Sequence, residues 1–226
     1  LWLLAAGLAG FVGALWTGFE AYWVPAVALA VALALYLASL LATLAAGSRD
    51  VTARHFLASL SSLALVAALG AGLAFDRQRG VLFPDGDGAL IAHVHLALLG
   101  FVSLAIFGGS YRLFFPMVMS RAHSPLPSRA AALLIAAATL GLAIDSLWFG
   151  RALIRLWALA LTLGFAAFCA QLTRLVHAKA ELDLSSRFAL LGIGGGALWC
   201  ALGLGLAFGA IEDRWESRAA YALTAL

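Results

Sequence analysis

Long apolar segments fill most of the chain, and short clusters of Gly, Pro, Ser and charged residues interrupt them. The interruptions leave seven segments, each with roughly the 20 residues that a helix needs to cross a bilayer core of about 30 Å. These segments are residues 2–19, 24–46, 53–75, 89–118, 128–149, 151–178 and 187–210. The pattern predicts an all-α, polytopic transmembrane helix bundle.

The links between these segments are short, and the longest covers residues 76–88. Short links make consecutive helices antiparallel, so we expect about seven antiparallel spans in a single transmembrane domain over residues 1–226. The composition agrees, because 64% of the residues are hydrophobic, 11% are charged and the mean hydropathy is +1.02. The expected partner is therefore the lipid bilayer, and a dispersed net charge of +3 does not indicate nucleic acid.

Basic residues favour one orientation in the membrane. Half of the fourteen lie at the loops after the second, fourth and sixth segments, namely Arg49, Arg54, Arg121, Arg129, Arg174, Lys179 and Arg187. The opposite side carries nearly as many arginines but also most of the acidic residues. Since basic loops stay in the cytoplasm, we expect a multi-pass protein of a bacterial-type inner (plasma) membrane with a cytoplasmic amino terminus.

Two histidines, His93 and His95, lie near the start of the fourth segment in the stretch AHVHLALLGF. Successive residues of an α-helix advance by about 100°, so the two imidazoles point about 200° apart and need separate partners. On the His93 side, small residues that include Gly100 leave a recess for a planar macrocycle, and aliphatic residues form the His95 side. Either side has the shape to pack a haem. The alternative is that both rings lie at the water boundary, bonded to nearby aspartates or to backbone.

The stretch AHVHLALLGFVSLAIFGGSYRLFFP, residues 92–116, resembles the haem-ligating helix in the catalytic subunit of haem-copper oxidases and nitric oxide reductases. The resemblance implies that His93 ligates a high-spin haem and His95 a low-spin haem, toward the outer side of the membrane. The expected cofactor is haem b. Gly100 is a further candidate cofactor-binding residue. So is Arg112, which either extends to the inner headgroups or pairs with a haem propionate or an acid.

The rest of the chain departs from that family, whose catalytic subunit has twelve helices and further metal ligands on other helices. The remaining histidines, His55, His123 and His177, fall at the opposite membrane face. We expect them to be solvated residues of loops and helix ends, and a second metal or haem site there is the less favoured alternative. A second axial ligand for His95 would then come from another copy of the chain, from another subunit, or from nowhere.

Acidic residues and glycines of the apolar segments have simpler interpretations. Asp145 and Glu20 lie at outer segment ends, where we expect them to be hydrated. The glycines of the seventh segment predict tight helix packing.

The expected function is that of a haem-binding membrane protein in electron transfer or gas sensing. It would have no oxygen-reducing centre and no catalytic residue, and it would work as a homo-oligomer or with other membrane subunits. Two alternatives belong to other classes: a cofactor-free structural subunit of a larger membrane complex, and a small-molecule transporter.

Overall fold

The computed structural model describes residues 2–18, 23–47, 50–117, 125–177 and 184–224, and within them it contains helices and turns but no strand. A π-helical stretch, Leu96–Ser103, joins α4 to α5 in one continuous helix. The α-helices are α1 (Trp2–Thr17), α2 (Trp23–Ala45), α3 (Val51–Arg79), α4 (Gly86–His95), α5 (Leu104–Met117), α6 (Pro125–Trp148), α7 (Ile154–His177), α8 (Leu184–Ala207) and α9 (Trp215–Thr224). The predicted all-α bundle is confirmed.

The structure corrects the number of spans. Among the described residues, six helices are long and apolar enough to cross a membrane: 23–45, 51–77, 86–112, 126–148, 154–174 and 190–207. The first predicted span is instead the 16-residue helix α1, which at 1.5 Å per residue covers only about 24 Å. The last span ends at Ala207, and the sequence pattern missed α9 because its mixture of polar and apolar residues forms no long apolar run.

Polar residues define where the helices begin and end. The Asp50 side chain accepts a hydrogen bond of 2.8 Å from the Ala53 N–H and starts α3. Gly80 ends the same helix in the left-handed region, with φ of 63°, and its N–H donates to the Asp76 carbonyl. Asp85 precedes α4 and accepts from the Asp87 N–H at 3.0 Å.

The helix α3 packs against α2, α6 and the continuous helix α4–π–α5, and so lies inside the bundle. The Ser59 hydroxyl of α3 donates to the carbonyl of Phe101 at 2.8 Å, within the π-helical stretch. In the same stretch the Ser103 hydroxyl donates to the Leu98 carbonyl, five residues earlier, at 2.9 Å. Side-chain hydroxyls thus satisfy carbonyls where the helix leaves regular α geometry.

Large apolar side chains cover the outer surface of the bundle. Leu35, Leu133 and Leu163 leave 62%, 70% and 60% of their surface exposed. Such a surface suits lipid tails, whereas a water-soluble monomer rarely exposes large contiguous apolar patches. The described chain is therefore a multi-pass helical membrane protein by its surface as well as by the length of its helices.

Gly100 provides a test of helix packing. A Cβ atom at Gly100 would lie 2.5 Å from the Ser62 Oγ and 3.2 Å from the Thr139 Cγ2, whereas one at Gly109 would meet nothing within 4 Å. We expect Gly100→Ala to lower the free energy of unfolding in detergent by about 1–3 kcal/mol through overpacking. Gly109→Ala is the matched control and should not lower it, because alanine favours helix. Equal stability of the two variants would contradict this packing.

Candidate functional site

A cavity of about 410 Å³ lies between the α4–π stretch on one side and α7 and α8 on the other. Its walls are mostly apolar, and its volume falls within the range of about 300–1,000 Å³ that is usual for ligand pockets. The cavity is at the end of the bundle where α4 and α7 begin and where α6 and α8 end. Residues of the wall include Leu90, Leu98, Leu99, Leu142, Ile154, Leu161 and Leu204.

His95, the last residue of α4, forms part of the cavity wall. Its Nδ1 lies 2.8 Å from the Ile91 carbonyl, one turn earlier in the helix. Because a carbonyl only accepts hydrogen bonds, Nδ1 carries a proton, and in the neutral ring Nε2 then keeps its lone pair. Among the described residues, Nε2 has no hydrogen-bond partner. The helix thus holds a neutral imidazole with a free donor atom at an apolar cavity.

The helix α9 packs against α8 and contributes an aromatic side chain to the cavity wall. The Tyr221 ring lies 5.8 Å from the His95 ring and 5.9 Å from the Trp199 ring, measured between centroids. Gly203 gives it room, since a Cβ there would lie 2.9 Å from the Tyr221 ring. Burial raises the pKa of Tyr221, so the residue is a neutral phenol at physiological pH.

One end of the cavity is charged. Arg151, Asp213 and Arg218 line it together. Arg218 Nε and Nη2 donate to the two carboxylate oxygens of Asp213 at 2.7 and 2.8 Å. This paired hydrogen bond holds the pKa of Asp213 below its ordinary value and raises that of Arg218. The cavity therefore has an apolar body and a polar end, as an amphiphilic ligand requires.

His93 faces away from this cavity and packs against α3. A Cβ at Gly70 would lie 2.9 Å from its Cε1, so the ring covers that glycine, and it also approaches the Val66 carbonyl. Its Nδ1 is buried and has no hydrogen-bond partner among the described residues. The two imidazoles thus have different neighbours, as the helical spacing predicts. The predicted role of His93 in binding metal rests on the sequence alone.

The other two candidate residues also lie away from the cavity. Gly100 shares the α3 side with His93, and its Cα fits against Ser62 and Thr139. Arg112, at the opposite end of the bundle, forms an ion pair of 3.8 Å with Asp50, in which the side chains are 71% and 44% exposed. The sequence analysis considered inner headgroups, a haem propionate and an acid as partners of Arg112, and the structure shows the acid Asp50. His95 is thus the one of the four sequence candidates that lines the cavity.

The expectation that His55 is solvated is wrong. His55 is fully buried, its Nδ1 lies 2.9 Å from the Val51 carbonyl, and its ring lies 5.1 Å from that of Tyr111. Next to Tyr111, the Gln171 amide donates to the Ser128 hydroxyl at 2.7 Å. The sequence did not show that Tyr111 and Gly108 would enclose the ring. His123 and the His177 side chain lie outside the described residues.

Asp145 is a second correction, because it is 1% exposed rather than hydrated. Its Oδ2 accepts a hydrogen bond of 2.9 Å from the Leu153 N–H. This bond closes the turn between α6 and α7. Glu20, the other acid expected at an outer helix end, lies outside the described residues.

Sequence reasoning missed Arg151, Trp199, Arg218 and Tyr221 as residues of the site. Arg218 and Tyr221 belong to α9, and the available signal was the regular spacing of apolar and charged residues in 215–224 after the last span. Arg151 follows Gly150 directly, which marks it as a turn residue but not as part of a site.

Comparison with known proteins adds nothing to these observations, because no protein-family model, curated protein or solved structure matches the chain. Within the described ranges there is also no group of three or more His, Cys, Asp or Glu side chains that could hold a metal ion. The class that fold and site define is a multi-pass, all-helical membrane protein with a histidine-lined cavity.

The two cysteines allow a test of whether Tyr221 limits access to the cavity. Cys200 lines the cavity, whereas Cys169 packs beside the cluster of Phe168 and Leu172. In a Cys169→Ser background, we expect Tyr221→Ala to raise the rate of Cys200 alkylation by a small neutral maleimide severalfold, because the cavity loses its cover.

The matched control for this experiment is Tyr36→Ala, which removes a tyrosine that is 48% exposed on α2. Its labelling rate should equal that of the parent protein. Equal rates for the Tyr221 and Tyr36 variants would show that α9 does not close the cavity. The rates are measured by mass spectrometry of the intact protein over time.

Proposed function

We propose that the protein binds haem b in this cavity, with His95 as an axial ligand, and acts in electron transfer or gas sensing. The single observation that carries the proposal is the state of the His95 ring. Its Nδ1 proton is committed to the Ile91 carbonyl, and its Nε2 is left without a partner at the edge of an apolar cavity.

The residues present fit such a group in three respects. An imidazole nitrogen with a lone pair is the usual axial donor for haem iron. The aliphatic wall formed by residues such as Leu98, Leu99 and Leu161 matches an apolar macrocycle. The charged end with Arg151 and Arg218 matches a cofactor whose edge is polar.

The chain's own residues have defined tasks in this proposal. The bond from Nδ1 to Ile91 fixes the orientation of the His95 ring and makes Nε2 a better donor. Tyr221 and Trp199 exclude water from the same region, which tunes the potential of a bound iron. When bound, the haem would supply one-electron redox chemistry or a binding position for a small gas.

The source of a second axial ligand follows from the lining of the cavity. Within the described part of the chain, His95 is the one histidine that lines it. A second histidine ligand would come from another copy of the chain or from another subunit, so a homo-oligomer is part of the proposal for electron transfer. Without a second ligand, the bound group would suit gas sensing.

The proposed location is a bacterial-type inner (plasma) membrane in which the loops after the second, fourth and sixth predicted segments face the cytoplasm. In this orientation α2 starts on the outer side, and the proposed cytoplasmic amino terminus requires that α1 also crosses the membrane. The support is the larger number of basic residues in the loops after the second, fourth and sixth predicted segments. The cavity then lies toward the outer side.

Absorption spectroscopy tests the proposal. The protein, expressed with haem supplied and purified in detergent, should show a Soret band and, after reduction, an α-band. His95→Ala should remove or strongly weaken both bands, because no other histidine of the described residues lines the cavity. His93→Ala is the matched control, two residues away on the same helix, and should keep both bands because His93 packs against Gly70 and not in the cavity.

A Soret band that is unchanged in His95→Ala would contradict the assignment of this ligand. A flat spectrum of the parent protein under the same expression conditions would remove the haem proposal altogether. It would leave the cofactor-free structural subunit and the transporter as the remaining functions.

A further inference from the structure

Arg151 has an unusual backbone conformation at the charged end of the cavity. Its φ is +68°, and it is the one non-glycine residue with positive φ in the described part of the chain. A side chain with a Cβ atom is strained there, and such strain persists where the surrounding structure imposes it, often at functional sites. The preceding residue, Gly150, also has positive φ, at +58°, and glycine adopts that conformation without strain.

Asp145 imposes this conformation from inside the bundle. Its backbone carbonyl accepts hydrogen bonds from the N–H groups of Phe149 and Arg151 at 3.0 and 3.1 Å, and its carboxylate accepts one from Leu153 at 2.9 Å. The Arg151 N–H thus reaches a carbonyl six residues earlier, across a helix end in which both Gly150 and Arg151 have positive φ. One buried residue thus ties together the whole turn from α6 to α7.

The Arg151 side chain lines the cavity and is half-buried. It makes no ion pair or hydrogen bond with another side chain in the described ranges. By contrast, Arg218 at the same end is already engaged by both oxygens of Asp213. Arg151 also helps to lower the pKa of Asp213, so these two charges lie near each other. Among the residues that line this end, two guanidinium groups thus share one carboxylate, and an acidic group of a ligand would balance the remaining positive charge.

We propose that Arg151 binds a carboxylate of the ligand in the His95 cavity, and that Asp145 is the positioning residue that holds Arg151 there. The ligand class is therefore an apolar macrocycle with at least one acidic side arm. This inference rests on the proposed haem function, but it concerns a different part of the ligand from His95.

Two probes that differ only in their carboxylates test it. Apoprotein in detergent is titrated with iron protoporphyrin IX and with its dimethyl ester, and affinity is measured by the change in absorption. We expect Arg151→Gln to lower the affinity for the free acid by about ten- to a hundredfold, which is the usual contribution of a hydrogen bond to a charged group. Binding of the ester should not change.

Arg77→Gln is the control, because Arg77 is an exposed arginine near the end of α3, at the same end of the bundle, and does not line the cavity. It should leave both affinities unchanged. Equal losses for acid and ester in Arg151→Gln, or no loss for either, would overturn the inference.

Three further variants separate binding from a structural role. Arg151→Gly should lose affinity for the acid while its thermal midpoint stays equal or rises, because glycine adopts positive φ without strain. Asp145→Ala removes the acceptor for the Leu153 N–H and should also lose affinity for the acid. Asp145→Asn keeps an acceptor oxygen and should retain the affinity for the acid. A lower midpoint in Arg151→Gly would show that the arginine holds the turn itself and would overturn its role as a ligand residue.

The outcome also separates this inference from the proposed function. If the parent protein binds both probes with equal affinity through His95, the carboxylate site is wrong and the haem site stands. If the parent protein binds neither probe, and His95→Ala changes nothing, both proposals fall.

Discussion

The absence of water from the hydrocarbon core governs this structure, because each polar group at that depth must find its partner within the protein. Backbone groups meet the requirement by forming helices, and several buried side chains bond to nearby carbonyls. Ser59 donates to the Phe101 carbonyl, and His95 and His55 each direct Nδ1 to a carbonyl four residues earlier. Some buried polar atoms have no such partner among the described residues, as at His93 Nδ1 and His55 Nε2, and His95 differs from these two histidines in lining a cavity.

The two ends of the bundle meet this requirement differently. At one end, the His55 ring packs against that of Tyr111, and Gln171 and Ser128 are hydrogen-bonded to each other. At the other end, α4 stands apart from α7 and α8, and α9 covers the gap between them. His55 on α3 and His95 on α4 therefore differ in whether a ligand can reach the ring. The ring of His55 is packed on all sides, while His95 keeps one nitrogen open to a cavity.

The turn between α6 and α7 links the helix core to the cavity. Asp145 is inaccessible to any ligand, yet it sets the backbone from Phe149 to Leu153 and so determines where Arg151 points. The charge on Arg151 is then available at the polar end of the cavity, next to the paired Arg218 and Asp213. The strain at Arg151 is tolerated because Asp145 supplies three hydrogen bonds from a buried position.

Particular residues show how far the sequence reaches. The opposed directions of His93 and His95 follow from helical geometry, and the structure gives them different neighbours as expected. The aliphatic wall beside His95 follows in the same way, because Leu98 and Leu99 line the cavity. The sequence did not predict the burial of His55 and Asp145, because each depends on residues more than four positions away in the chain. His55 packs against Tyr111, and Asp145 accepts a hydrogen bond from Leu153.

The sequence alone determined the class of fold, because an apolar helix in lipid has no alternative way to satisfy its backbone. It also indicated His93 and His95 together, through the spacing of two histidines in an apolar segment. The tertiary structure decided which histidine meets a cavity, which is a matter of how far apart non-consecutive helices stand. It also decided that α9 returns over α8 and that a strained arginine stands at the polar end, because these arrangements depend on contacts between residues that are distant along the chain.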